Sequence, residues 1–356
     1  MTSTMQERRV DVETIEVGAM SRRARLSRRD ISGRWLSLLL LGFGVAILAA
    51  FAATMNFRQI GLALAHVDVP TLGLALAAVG AQIAMKAVRW RFMVQRLTGT
   101  KISLRFGTIS VLTGVAAGSV TPARSFEVAK AMMLKGSYDV PLSVSTSAML
   151  VERMLDIAFV VVAFLLAAAF VPSRMVLASR AVVATIAAIV LLCIVIGAIP
   201  QHVSAWTAAL LRRMPLPDGL RWRAHRLQEA FFASLLVLRR QHTLGMLVLL
   251  TAVIAALDVM RVTTVFRAMD VPLGAALVIF TYLGAAMLGM ALLIPGGVGV
   301  TEVSMAGLIA FLAPGVVMKD LTRSTVLIDR FFSYYLLVLI GAGLLVAYHR
   351  FRRAFV

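Results

Sequence analysis

A carboxylate, Glu302, sits inside an apolar run seven residues after Pro295, with Gly296, Gly297 and Gly299 between them. A proline and three glycines break a helix. Inside a bilayer the break strands backbone N–H and C=O groups in hydrocarbon. Such a break is tolerated only where protein or a water-filled cavity receives those groups, so an ionisable residue beside it marks a candidate functional path. A related segment, TPARSFEVAKA at 121–131, holds Pro122, Arg124, Glu127 and Lys130. Two acid–arginine pairs open apolar segments: Glu152-Arg153, followed by Asp156, and Asp329-Arg330. The chemistry available to these groups is ionic. An arginine fork such as that of Arg124 donates two parallel hydrogen bonds to a phosphate. The carboxylates can pair with arginines, bind a cationic headgroup or carry protons.

A charge at the bilayer centre costs roughly 2.5–3.5 kcal/mol on insertion scales. These side chains must therefore pair, face water or lie at the interface. For Glu152-Arg153 and Asp329-Arg330 the plainer reading is an interfacial helix start, with the acid complementing the positive helix end. Asp258 and Arg261, three residues apart on one helix face, read as a structural pair.

Other chemistries lack their residues. The single cysteine, Cys193, lies in an apolar helix and reads as packing, which excludes a disulfide framework. Five histidines are scattered without metal-ligand spacing. HExxH, GxSxG and phosphate-cradling loop motifs are missing. No metal and no cofactor is expected. A membrane-embedded enzyme would need a nucleophile or metal cluster beside these carboxylates, and none is evident.

The elements that must position the charges are apolar helices. Hydrophobic residues make up 60% of the 356 and mean hydropathy is +0.90. This composition predicts an all-α, polytopic membrane protein. The net charge is +19 although only 15% of residues are charged, so the arginines belong in loops and tails, as the positive-inside rule requires. They flank spans rather than line an aromatic-studded groove, which argues against nucleic acid.

About six full spans are expected, at 35–55, 69–88, 143–171, 181–199, 244–266 and 325–347, together with two broken-helix hairpins. The run at 35–55 reads as a retained span rather than a cleaved signal peptide. The hairpins fall at 106–136 and around the break at 295–302; two thin full spans at 106–136 would give the same topology. Residues 1–33 form a basic tail without apolar periodicity. Residues 34–349 form the membrane domain, and 350–356 a basic tail. The cluster Lys86, Arg89, Arg91, Arg96, Lys101 and Arg105 marks a return to the cytoplasm, with Trp90 at the water interface. The loop 200–242 is arginine-rich and cytoplasmic; its segment 220–238 is amphipathic and suits the membrane surface. Gly284 and Gly289 form a face suited to close helix packing.

The same order of parts recurs in 69–171 and 243–348. Each half has an apolar helix, a break with an acid, and a helix opening with acid–arginine. Roughly 25 residues separate the acids in each half, about what a broken helix, one turn and a new span need. Arginine placement gives the halves opposite orientation, an inverted repeat of the kind found in secondary transporters.

These motifs resemble a known family. PGGVGVTE at 295–302 is similar to the PGGxGxxE signature of the transmembrane domain of lysylphosphatidylglycerol synthetases, a family that includes stand-alone flippase-like proteins. TPARSFEVAKA is similar to that family's P-x-R-x-x-E-x-x-[KR] segment, and VERMLD at 151–156 to its ER-x-x-D segment. Phe126 departs from the small residue many relatives carry beside the acid. The resemblance covers roughly residues 36–348. It implies translocation of a phospholipid, modified phospholipid or lipid-linked intermediate between leaflets, which we expect in a bacterial inner membrane without covalent chemistry; the basic tails place both termini in the cytoplasm. The chain ends shortly after the last span, so an aminoacyl-transferase domain and synthetase activity are not expected. On this reading Arg124, Arg153 and Arg330 take an anionic headgroup, and Glu127, Glu152, Glu302 and Asp329 pair with those arginines, bind a cationic headgroup moiety or carry protons. The alternative is an accessory subunit of a lipid-modifying or glycosyl-transferring enzyme.

Overall fold

A computed structural model describes residues 67–119, 128–171, 200–214, 217–238, 240–292, 294–315 and 319–350, together with helical positions between 39 and 61. Pro122, Arg124, Glu127 and Cys193 lie outside the described residues. So do the tail 1–33, the span 181–199 and most of 35–55. The described residues are helical, with no strand among them, and the chain is an all-α membrane protein.

The helices in order are α1 (Val69–Thr98), α2 (Leu104–Gly118), α3 (Val128–Tyr138), α4 (Leu142–Ala169), α5 (Pro200–Arg213), α6 (Asp218–Leu238), α7 (Gln241–Ala268), α8 (Ala275–Ala291), α9 (Val300–Leu312), α10 (Lys319–Arg330) and α11 (Leu336–Arg350). A 3₁₀ turn, Pro295–Gly297, precedes α9, and a π segment, Phe331–Tyr335, joins α10 to α11. Local chemistry sets several ends. Asp68 caps α1 by accepting from Thr71 N at 3.3 Å, Pro70 follows it, and Gly99 closes the helix at φ 72°. Ser103 caps α2 by accepting from Phe106 N at 3.1 Å.

Four stretches among the described residues are long and apolar enough to cross a membrane: Val69–Thr98, His242–Ala268, Pro295–Leu312 and Lys319–Tyr348. The third is not one straight helix. Gly296, Gly297 and Gly299 all have positive φ, and α9 itself is 13 residues. At 1.5 Å per residue it is about 20 Å, short of a roughly 30 Å hydrocarbon core. It is half of a broken element, as its sequence predicts.

Helix packing follows a pattern that survives exchange of the two halves. α1 packs along α7, the first helix of the other half. α2 packs on α11, and correspondingly α8 packs on α4. Lipid is as apolar as the helices, so close approach rather than hydrophobic transfer holds them together. At the α2–α11 crossing Gly341 lies against the Leu112 carbonyl and Ala116, leaving no room for a Cβ. At the α4–α8 crossing Phe164 stacks on Phe280 at 4.7 Å, and Gly284 lies against Phe164.

Four sequence expectations change. The loop 200–242 is largely helix, and α6 buries Phe232, Leu235 and Leu238 in the same core as Trp90, packing on α4 and α1. An amphipathic face was legible, but α4 offered it a partner. Trp90 is fully buried rather than interfacial, and Arg89 is fully buried rather than a solvated topology signal. Neither acid–arginine pair starts its helix: Glu152 lies a third of the way along α4, and Asp329 lies at the far end of α10.

Candidate functional site

The break is built first. Ile294 is extended, Pro295 begins the 3₁₀ turn, and Gly296 and Gly297 both take φ 67°. Side chains other than glycine rarely adopt that conformation. A Cβ at Gly296 would also collide with the Tyr334 side chain. The turn releases backbone carbonyls, and that of Gly296 accepts from Arg330 Nη2 at 2.9 Å. The same guanidinium donates through Nε to Glu302 Oε1 at 2.9 Å. Tyr335 OH donates to that oxygen at 2.7 Å, and Arg330 stacks over the Tyr334 ring. The π segment widens the helix just past Arg330, where both tyrosines sit, a distortion common at functional sites.

A second cluster lies next to it through the adjacent Asp329, which Arg261 of α7 bonds. Arg261 also reaches Asp258 at 3.3 Å. Asp258 accepts from Gln82 of α1 at 2.9 Å and from Tyr282 of α8 at 2.7 Å. The structural pair expected at 258 and 261 is thus part of a four-helix network.

The third cluster belongs to the first half. Arg89 of α1 is a fork between Glu152 at 2.9 Å and Asp156 at 2.6 Å, and it donates to Thr251 of α7 at 2.9 Å. Lys130 of α3 donates to the other oxygen of Glu152 at 2.7 Å, and its ammonium lies 4.0 Å from the Trp90 ring centroid. A cavity of about 70 Å³ opens beside these groups, bordered by Lys86, Arg89, Lys130, Glu152, Arg153 and Asp156 and floored by the small residues of α2.

One face of α1 ties the clusters together. Gln82, Lys86 and Arg89 recur at helical spacing, and Lys86 donates to Gln82 at 3.4 Å. The three clusters lie in succession as a seam of buried and half-buried charge: Lys130, Arg89, Glu152 and Asp156, then Lys86, Asp258 and Arg261 with Asp329, and, next to Asp329 along the chain, Arg330 with Glu302. Glu302, Asp329, Arg89 and Arg261 are all 1% exposed or less. Oppositely charged partners offset the desolvation that each would incur alone.

Of the predicted site residues, Lys130, Glu152, Arg153 and Asp156 come together at the cavity. Glu302 and Arg330 come together at the break of Pro295, Gly296, Gly297 and Gly299. Asp329 pairs with Arg261. Pro122, Arg124 and Glu127 lie outside the described residues. Glu302 pairs with Arg330, one of the three arginines expected to hold the acids, whereas Glu152 binds Arg89 and Lys130, and Asp329 binds Arg261. Arg330 is engaged by the break it supports. Sequence reasoning missed Gln82, Lys86 and Arg89 as site residues, although their periodicity in an apolar helix was a signal. It also missed Tyr282, Thr251 and Tyr335, which carried none. Among the described residues no cluster of His, Cys, Asp and Glu suits a metal.

The sequence model of the lysylphosphatidylglycerol synthase TM region matches residues 34–341. A UPF0104 membrane protein of Methanothermobacter thermautotrophicus is 26% identical over 306 residues, covering 84% of this chain and 89% of that protein. A UPF0104 membrane protein of Pyrococcus horikoshii is 25% identical over 337 residues, covering 88% of this chain and 96% of its own length. With the break, the seam and the apolar spans in place along the matched length, the chain belongs to the lysylphosphatidylglycerol synthase transmembrane-region family.

Proposed function

We propose that the chain translocates a lipid or lipid-linked intermediate between leaflets by non-covalent means. The observation that carries this reading is the buried ionic seam joining both halves through α1 and α7. Buried charge on membrane helices is costly, and such residues face bundle interiors and mark substrate or ion pathways. The pairing pattern that survives exchange of the halves supports an inverted repeat, whose interface is where transporters of this architecture place their sites. In this mechanism the cavity at Lys130, Arg153 and Glu152 receives the polar headgroup while the acyl chains remain in lipid. Ion pairs of the seam exchange partners as the headgroup passes, so no charge is left bare in hydrocarbon. The membrane is the inner membrane of a bacterium, with both termini in the cytoplasm.

The test is a proteoliposome assay in which fluorescent phospholipids are followed by quenching from one side. The purified chain should accelerate loss of protected fluorescence over empty vesicles. Glu302→Gln should slow it about tenfold or more, since it converts a charge-assisted acceptor into a neutral one. Wild-type rates in Glu302→Gln would remove Glu302 from the mechanism. No acceleration by the wild-type chain would favour the accessory-subunit alternative.

A further inference from the structure

A second cavity, about 290 Å³, shares no lining residue with the seam. It lies between α9, α10 and Phe51. Val303, Gly307 and Ala310 line its long wall, recur at helical spacing, and are all exposed. Lys319 and Arg323, one turn apart at the start of α10, lie at its other end. Arg323 pairs with Asp320 at 3.6 Å and lies over the Phe51 ring at 5.6 Å. The groove is thus amphipathic along its length, with apolar small residues below and two cations above.

Its dimensions match one leaflet. From Val303 to Leu312 α9 rises about 14 Å, close to half of a roughly 30 Å hydrocarbon core. The α9–α10 turn therefore lies at headgroup level when Val303 lies near the midplane. Val303 follows Glu302, so the deep end of the groove abuts the helix break.

We propose that this groove is a specific site for one anionic phospholipid of the adjacent leaflet. Its phosphate sits on Lys319 and Arg323, and one acyl chain lies along Val303, Gly307 and Ala310. Charge complementarity selects the anionic headgroup, because the described residues lining the groove carry two cations and no carboxylate, and with Asp320 beside Arg323 the group stays net positive. The small side chains let the acyl chain approach α9 closely. The site requires only that the chain lies in a bilayer, and it stands whether or not the seam translocates lipid.

Photolabelling of the full chain tests this. The protein is reconstituted into phosphatidylcholine vesicles containing a small fraction of phosphatidylglycerol with a diazirine at the acyl terminus. A parallel sample carries the same diazirine on phosphatidylcholine. Adducts are located by peptide mass spectrometry. The phosphatidylglycerol probe should label 303–313 about tenfold over the phosphatidylcholine probe, as two interfacial cations warrant. Lys319→Gln with Arg323→Gln should abolish that preference. Gly307→Leu should remove the adducts themselves, since a Cβ added there meets no protein atom within 4 Å and the leucine side chain grows from it into the groove. Equal labelling by the two probes in the wild-type chain would overturn the proposal. So would adducts spread evenly over the exposed faces of α1, α7 and α11, or a preference that survives the double variant. The wild-type comparison decides by itself if a variant fails to fold.

Discussion

Arg330 binds Glu302 through Nε and the carbonyl of Gly296 through Nη2, so one guanidinium joins the helix break to the carboxylate that follows it. The freed carbonyl is received by an arginine 34 residues away. That arginine is held in turn by the acid seven residues past the proline. The break and the buried charge therefore explain each other.

Removing this guanidinium should be costly. Arg330→Ala leaves Glu302 charged and buried, and should destabilise the protein by about 3–5 kcal/mol. Arg330→Lys keeps the charge but cannot reproduce a fork aimed at two acceptors, and should cost about 1–3 kcal/mol. Thermal unfolding in detergent micelles measures both. Equal stability of Arg330→Ala and wild type would show that the pair does not hold the break.

The glycine at the turn should tolerate nothing larger. Gly296→Ala meets a positive φ and the Tyr334 side chain together. It should cost more than the roughly 1 kcal/mol of a positive φ alone. Combining it with Tyr334→Ala should recover part of the loss and leave the backbone part. Full recovery would mean that the φ at 296 relaxes freely.

Corresponding ion pairs hold the two halves. Arg89 reaches Glu152 and Arg261 reaches Asp329, each joining the first helix of a half to its acid–arginine pair. Double-mutant cycles on Arg89→Gln with Glu152→Gln, and on Arg261→Gln with Asp329→Asn, should each give coupling of about 1–3 kcal/mol. A cycle on Arg89 with Asp329 should give much less, because they share no direct contact. Strong cross-coupling there would mean the seam behaves as one unit.

The topology follows from where the basic loop lies. Single cysteines at Arg212 and at Asp270, in a Cys193→Ser chain, should be labelled by impermeant maleimide from opposite sides of the membrane. Arg212 should react from the cytoplasm. Labelling of both from one side would refute the orientation and with it the inverted arrangement.

Composition and local spacing by themselves determined that the chain is a bundle of membrane helices broken at Pro295 and Gly296. Sixty per cent hydrophobic residues, arranged in runs long enough for a helix to cross a bilayer, favour helices that satisfy their own backbone groups, and proline and glycine act on the backbone within a turn of where they stand. The same locality made Glu302, Glu152, Asp329 and Arg330 visible, because a charge in an apolar run must find a partner. Which partner is a long-range matter, and only the tertiary structure decided it. Glu152 lies beside Arg153 in sequence yet binds Arg89 and Lys130; Asp329 lies beside Arg330 yet binds Arg261. Neighbouring side chains on a helix point about 100° apart, so an adjacent acid and arginine cannot face each other. Their partners come from whichever helices pack on each face. That is why Arg89, which reads in sequence as a cytoplasmic signal, lies buried at the centre of the first half.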